Sequence, residues 1–140
     1  MAADIFVDTS GWFPLVDPED RAHAAVAQAM RSAITTRRRI VTSNLVVAET
    51  HALIMRRINR VAALAFLREV VRAPTLVISS TPELEIAATG DWLERYDDQE
   101  FSLTDAVSFA IMKERGIRDA LAVDHHFAAA GFAILPGAKR

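Results

Sequence analysis

Residues 4-DIFVD-8 alternate β-favouring side chains and stop at an acid, so they read as a short strand that ends on the Asp8 carboxylate. A second run, 120-ALAVD-124, has the composition of a buried strand and also stops at an acid. Between them helices and strands alternate. Residues 17-DPED-20 offer Asp17 as an N-cap and Pro18 at the first helical position, which predicts a helix to about Thr36. A strand over 39-RIVT-42 leads through Ser43 and Asn44 into a helix that contains 45-LVVAETHALIM-55. The runs 60-RVAALAFLREVVR-72, stopped by Pro74, and 82-PELEIAATGDWLERY-96, interrupted by Gly90, have helical period, with a strand through 75-TLVIS-79 between them. Ser102 opens a helix over 103-LTDAVSFAIMKER-115 that Gly116 closes, and a last strand lies near 132-FAILP-136. Such alternation predicts an α/β fold, with a central, mostly parallel β-sheet flanked by helices on both faces.

The chain has 140 residues, 51% of them hydrophobic and 24% charged, enough for one domain with a real core. The expected domain is 1–136, with 137–140 as a short tail. No apolar run approaches the roughly 18 residues of a membrane span, and the first residues lack the pattern of an export signal. The absence of cysteine excludes disulfides and zinc–thiolate sites and fits a cytoplasmic location. The net charge of −2 is unevenly spread: residues 1–72 hold ten arginines against seven acids. Arg56, Arg57, Arg60, Arg68, Arg72 and the run 37-RRR-39 could meet phosphates, but solvated helix ends and loop charges are the commoner explanation of such a run.

Glu49 is the anomaly. On a helix it has Leu45, Val46, Ala52 and Leu53 as neighbours three and four residues away, a broad apolar surface for a carboxylate. In open parallel sheets ligands bind beyond the carboxyl ends of the strands. Asp8 and Asp124 end strands there, Asp105 lies in the first turn of a helix and Glu49 in the second, so four acids approach one edge. Asp105 with Ser102 also fits a capping box, Asp8 and Asp124 have capping alternatives, and a rim position or a buried ion pair with an arginine such as Arg56 would account for Glu49. Two like charges at ~4 Å repel by about 4 kcal/mol at an effective dielectric of 20, so convergence calls for a cation. Oxygen donors without cysteine suit Mg²⁺ or Mn²⁺.

Four stretches, 7-VDTSGW-12, 46-VVAET-50, 103-LTDAVSF-109 and 123-VDHHF-127, resemble in order and spacing the motifs of PIN-domain ribonucleases, particularly the VapC-type toxins of bacterial toxin–antitoxin pairs. The resemblance covers essentially the whole chain and implies the PIN-like three-layer fold. It implies that Asp8, Glu49, Asp105 and Asp124 are the catalytic, metal-holding acids, with Asp8 and Asp105 at the most characteristic positions. Thr9 and Ser10 match small hydroxyls that orient the first acid, and Thr104 matches a supporting hydroxyl. It further implies an RNA substrate, a homodimer, and a small cognate antitoxin that inhibits the toxin and carries the operator-DNA binding. Some relatives have another acid two residues after the fourth; this chain has His126, which leaves one metal or two open.

The expected chemistry is metal-dependent hydrolysis of RNA phosphodiester bonds by activated water, with no protein nucleophile. Haloacid-dehalogenase-type phosphatases also use a strand-end Asp, but they need a second Asp where this chain has Ser10, and the receiver-domain pattern fits no better. The remaining alternative is a PIN-like RNA- or protein-binding module without catalysis. The RNA cut and the antitoxin's identity are not readable from these residues.

Overall fold

The computed structural model describes residues 3–72 and 74–137. Of the expected tail, only Gly137 falls within them. Five strands form one sheet: β1 (Ile5–Val7), β2 (Ile40–Ser43), β3 (Thr75–Ile78), β4 (Asp119–Leu121) and β5 (Ala133–Leu135). Their order is β3-β2-β1-β4-β5 and every pairing is parallel. The chain steps from β1 outward to β3, then returns across the sheet to β4. The reversal leaves a crevice between β1 and β4, which is where ligands bind in open sheets of this type. Right-handed crossovers place the helices of the two directions on opposite faces.

The first crossovers carry α1 (Thr9–Val16), α2 (His23–Thr35), α3 (Asn44–Arg57) and α4 (Arg60–Val70). The return carries α5 (Pro82–Ala88), a π-helical turn (Thr89–Glu94) and α6 (Leu103–Arg115), and α7 (His126–Ala129) precedes β5. Sheet residues Ile5, Phe6, Val7, Val41, Ala120 and Leu121 are buried. On α6, Phe109 meets Phe101 and Phe127 edge-on at 4.9 Å and Trp92 at 5.1 Å. Because Phe109 lies one turn beyond Asp105 on the same helix face, this aromatic cluster fixes the height and rotation of that acid.

Four expectations need correction. No helix was expected over residues 9–16, yet α1 forms there with Pro14 inside it. Its start is stabilised by the Asp8 side chain, which accepts from the Ser10 amide at 3.0 Å. Asp17 therefore ends α1 instead of opening α2. Its carboxylate accepts from the Glu19 amide and that of Asp20 from the Ala22 amide, two side-chain turns that postpone α2 to His23. The helix expected over 82–96 is α only to Ala88, and Gly90 falls in the π turn. Finally, β4 ends at Leu121, three residues short of Asp124.

Candidate active site

Asp8, Glu49, Asp105 and Asp124 all line one hollow of about 710 Å³ at the carboxyl edge of the sheet. Asp8 leaves β1 directly and is 4% exposed. Its Oδ2 accepts from both the amide and the hydroxyl of Ser10, at 3.0 and 2.8 Å. The same Ser10 oxygen accepts from the amides of Val123 and Asp124 at 3.0 and 3.1 Å. One hydroxyl thus ties the first acid to the fourth and takes up amides that would otherwise extend β4. Gly11 makes this approach possible, since a Cβ there would overlap the Leu121 carbonyl.

Asp105 comes from the first turn of α6 and is also buried. It completes a capping box with Ser102: its amide donates to Ser102 Oγ and its Oδ2 accepts from the Ser102 amide, both at 3.0 Å. Capping and lining the hollow are compatible, because capping uses only Oδ2. Asp124 Oδ1 accepts from the His126 amide at 2.8 Å.

Glu49 is not the desolvated acid that its sequence neighbours suggested. The buried stripe of α3 runs through Val46, Thr50 and Ile54, and Glu49 is exposed beside it on the rim of the hollow. Its Oε1 accepts from Thr9 Oγ1 at 2.6 Å. The two hydroxyls expected at the first acid are therefore divided: Ser10 serves Asp8 and Thr9 serves Glu49. Thr104 is half-buried, and its side chain makes no hydrogen bond among the described residues.

A histidine in a loop is ordinarily a partly exposed side chain without a fixed partner, and His126 departs from that. Its Nδ1 instead lies 2.9 Å from Asp105 Oδ2 and 3.4 Å from Asp124 Oδ1, and its ring meets Phe101 edge-on at 5.6 Å. The signal for it in the sequence was its place two residues after the fourth acid, where some relatives carry an acid. His125 beside it is largely exposed. Trp12 and Phe13 are core residues, as aromatics after a first strand usually are.

In each of the four acids, one oxygen is held and the other has no hydrogen-bond partner among the described residues. No fully buried side-chain oxygen or nitrogen among these residues lacks a partner, so the free oxygens of Asp8, Asp105 and Asp124 reach solvent. Burial pushes the Asp8 carboxyl up from 3.8 to about 6; the hydrogen bonds from Ser10 oppose the push and the charges of Asp105 and Glu49 add to it. As placed, no three His, Asp or Glu side chains among the described residues surround a common point closely enough to chelate an ion. The donor set nevertheless fits a hard cation: four carboxylates in one hollow, each braced through one oxygen and open at the other.

The run 37-RRR-39 lies at the opposite, amino edge of the sheet. Arg38 contacts Asp119 at 2.7 Å and the carbonyls of Ala3 and Asp4, and Arg39 contacts Asp4 at 2.9 Å. These arginines hold strand ends together and are not at the hollow.

A PIN-domain family model matches residues 5–133. The 23S rRNA-specific endonuclease VapC20 of Mycobacterium tuberculosis is 40% identical over 130 residues, covering 91% of this chain and 95% of the relative. Ribonuclease VapC26 of the same organism is 32% identical over 127 residues, covering 89% and 90%. The crystal structure of M. tuberculosis VapC20, described as a sarcin–ricin-loop-cleaving toxin, superposes with a TM-score of 0.82 at 37% identity, covering 93% of this chain and 97% of that one.

Proposed function

Because the chain belongs to the PIN-domain family, we propose that it is a metal-dependent endoribonuclease, the toxin of a toxin–antitoxin pair, and that ribosomal RNA is its substrate. The observation that carries the reading is the set of four acids lining one hollow, each braced through one oxygen and open at the other. Asp8, Glu49, Asp105 and Asp124 would hold Mg²⁺ or Mn²⁺, Asp8 and Asp105 from the floor and Glu49 from the rim. A divalent ion there supplies an activated water and neutralises charge developing on phosphate oxygens. The chain's own residues hold the acids in place: Ser10 fixes Asp8 and the turn bearing Asp124, Thr9 fixes Glu49, and the capping box and Phe109 fix Asp105.

The choice of ribosomal RNA is supported by the VapC20 relative, named for 23S rRNA, whose alignment covers nearly the whole of both chains. Its structural counterpart is named for the sarcin–ricin loop. A small inhibitory antitoxin, homodimer formation and action in the cytoplasm belong to the same proposal. Among the described residues, no helix is long and apolar enough to cross a membrane.

Antitoxin-free protein incubated with total RNA and with intact ribosomes, in Mg²⁺, Mn²⁺ or EDTA, tests the reading. Primer extension is expected to show one discrete cut in 23S rRNA that requires metal and leaves a 5′-phosphate. A cut confined to another RNA would retain the enzyme class and overturn the substrate. Absence of any metal-dependent cut would favour a binding module without catalysis.

A further inference from the structure

We propose that Arg57 grips a backbone phosphate of the RNA strand beside the one being cut; the proposal rests on the endoribonuclease reading above. Six carboxylates line the hollow, those of Asp8, Asp20, Glu49, Glu100, Asp105 and Asp124, and Arg57 is the one arginine or lysine among its described lining residues. A polyanion entering such a hollow meets repulsion everywhere except at bound cations and at this guanidinium.

Arg57 makes no ion pair among the described residues, in contrast to Arg38, Arg39 and Arg72. It is exposed, so its donors are available. It is also pre-placed. Its guanidinium lies over the face of the buried Phe13 ring, 5.6 Å from the centroid, and it sits in the last turn of α3, where the helix dipole favours a cation. The ring contact uses none of the guanidinium's N–H donors, which leaves them for bidentate contact with phosphate oxygens.

Position along the strand follows from the helix. Glu49, Leu53 and Arg57 are four residues apart in turn, share one side of α3, and all line the hollow. Eight residues at 1.5 Å each separate Glu49 from Arg57 by about 12 Å along the axis. With the cation at the acids taking the scissile phosphate, that offset assigns Arg57 a neighbouring one. Phe13 thereby has a role through Arg57, as the surface on which the guanidinium rests.

The test measures binding of a labelled single-stranded 2′-O-methyl RNA to wild type, Arg57→Ala, Arg57→Lys and, as an arginine away from the hollow, Arg31→Ala, across a salt series. Arg57→Ala is expected to bind about tenfold more weakly, with a log–log salt slope smaller by about 0.7, the value of one phosphate contact on a single strand. Arg57→Lys should recover the slope and only part of the affinity, and Arg31→Ala should match wild type. In cleavage assays Arg57→Ala should raise KM with little change in kcat. Unchanged affinity and slope in Arg57→Ala, with wild type still cleaving RNA, overturns the proposal and leaves the nuclease reading standing. The same holds if Arg57→Ala alters only inhibition by the antitoxin. If wild type neither binds nor cuts RNA, the nuclease reading falls first and the proposal with it. Arg57→Lys keeps the test valid should the alanine variant fold poorly.

Discussion

The Thr9 hydroxyl on α1 donates to Glu49 Oε1 on α3 at 2.6 Å, and itself accepts from the buried Thr50 hydroxyl at 3.1 Å. A carboxylate on the rim of the hollow is thereby given one orientation. Removing the Thr9 hydroxyl breaks both links at once.

Thr9→Val should therefore do two separable things. Cleavage should fall about tenfold, and stability should fall by about 1–2 kcal/mol, because Thr50 is left with a buried unpaired hydroxyl. Thr9→Val/Thr50→Val should recover part of the stability and none of the activity. Urea unfolding and cleavage rates on the three variants and wild type check this.

The buried Asp8 carboxyl, at about 6, predicts an inverted pH effect in metal-free protein. Its folded value lies above its unfolded one, so the folded state holds the proton more tightly. Stability from this group is fully present below about pH 4 and is lost as pH rises through about 6, a cost near neutrality of about 3 kcal/mol. In EDTA, Asp8→Asn should melt higher than wild type at pH 7, and the gap should close between pH 6 and pH 4. A gap that stays constant or widens on acidification contradicts the assignment.

Gly11→Ala drives a methyl group into the Leu121 carbonyl at the end of β4. The expected cost is about 1–3 kcal/mol, as for overpacking in a close-packed core. Because the turn that follows the displaced strand end carries Asp124, activity should fall further than the loss of folded protein explains. Thermal melts paired with cleavage rates separate the two.

His126→Asp replaces the group beside Asp105 and Asp124 with a further oxygen donor. Calorimetry with Mn²⁺ should show affinity several-fold tighter than wild type; weaker binding would mean that the imidazole supports the cation site and does not compete with it.

Legibility in the sequence followed physical locality. Asp8 was readable because an apolar β run stops on it, and Asp105 because a capping box is local. The fold was readable from the alternation of periods, and the parallel five-stranded sheet bears it out. Helix α1 was hidden because Gly11, Phe13 and Pro14 contradict helical propensity, and contacts with α2 and α3 outweigh that preference. Asp124 looked like a strand end because nothing local shows Ser10 capturing its amide from 114 residues away. Whether Glu49 is buried or on the rim was not readable, because apolar neighbours on a helix do not say which side the sheet covers. The contrasting fates of Arg38 and Arg57 depend on which sheet edge each reaches, a property of topology.

The most direct test of the account is the single-turnover cleavage rate of the RNA substrate by wild type, Asp8→Asn, Glu49→Gln, Asp105→Asn and Asp124→Asn, each with Mg²⁺ and with EDTA. Four acids acting as one metal-requiring site predict loss of a hundredfold or more in every variant, and loss of wild-type activity in EDTA, with circular dichroism unchanged. Wild-type rates in any folded amide variant, or full activity in EDTA, would contradict it.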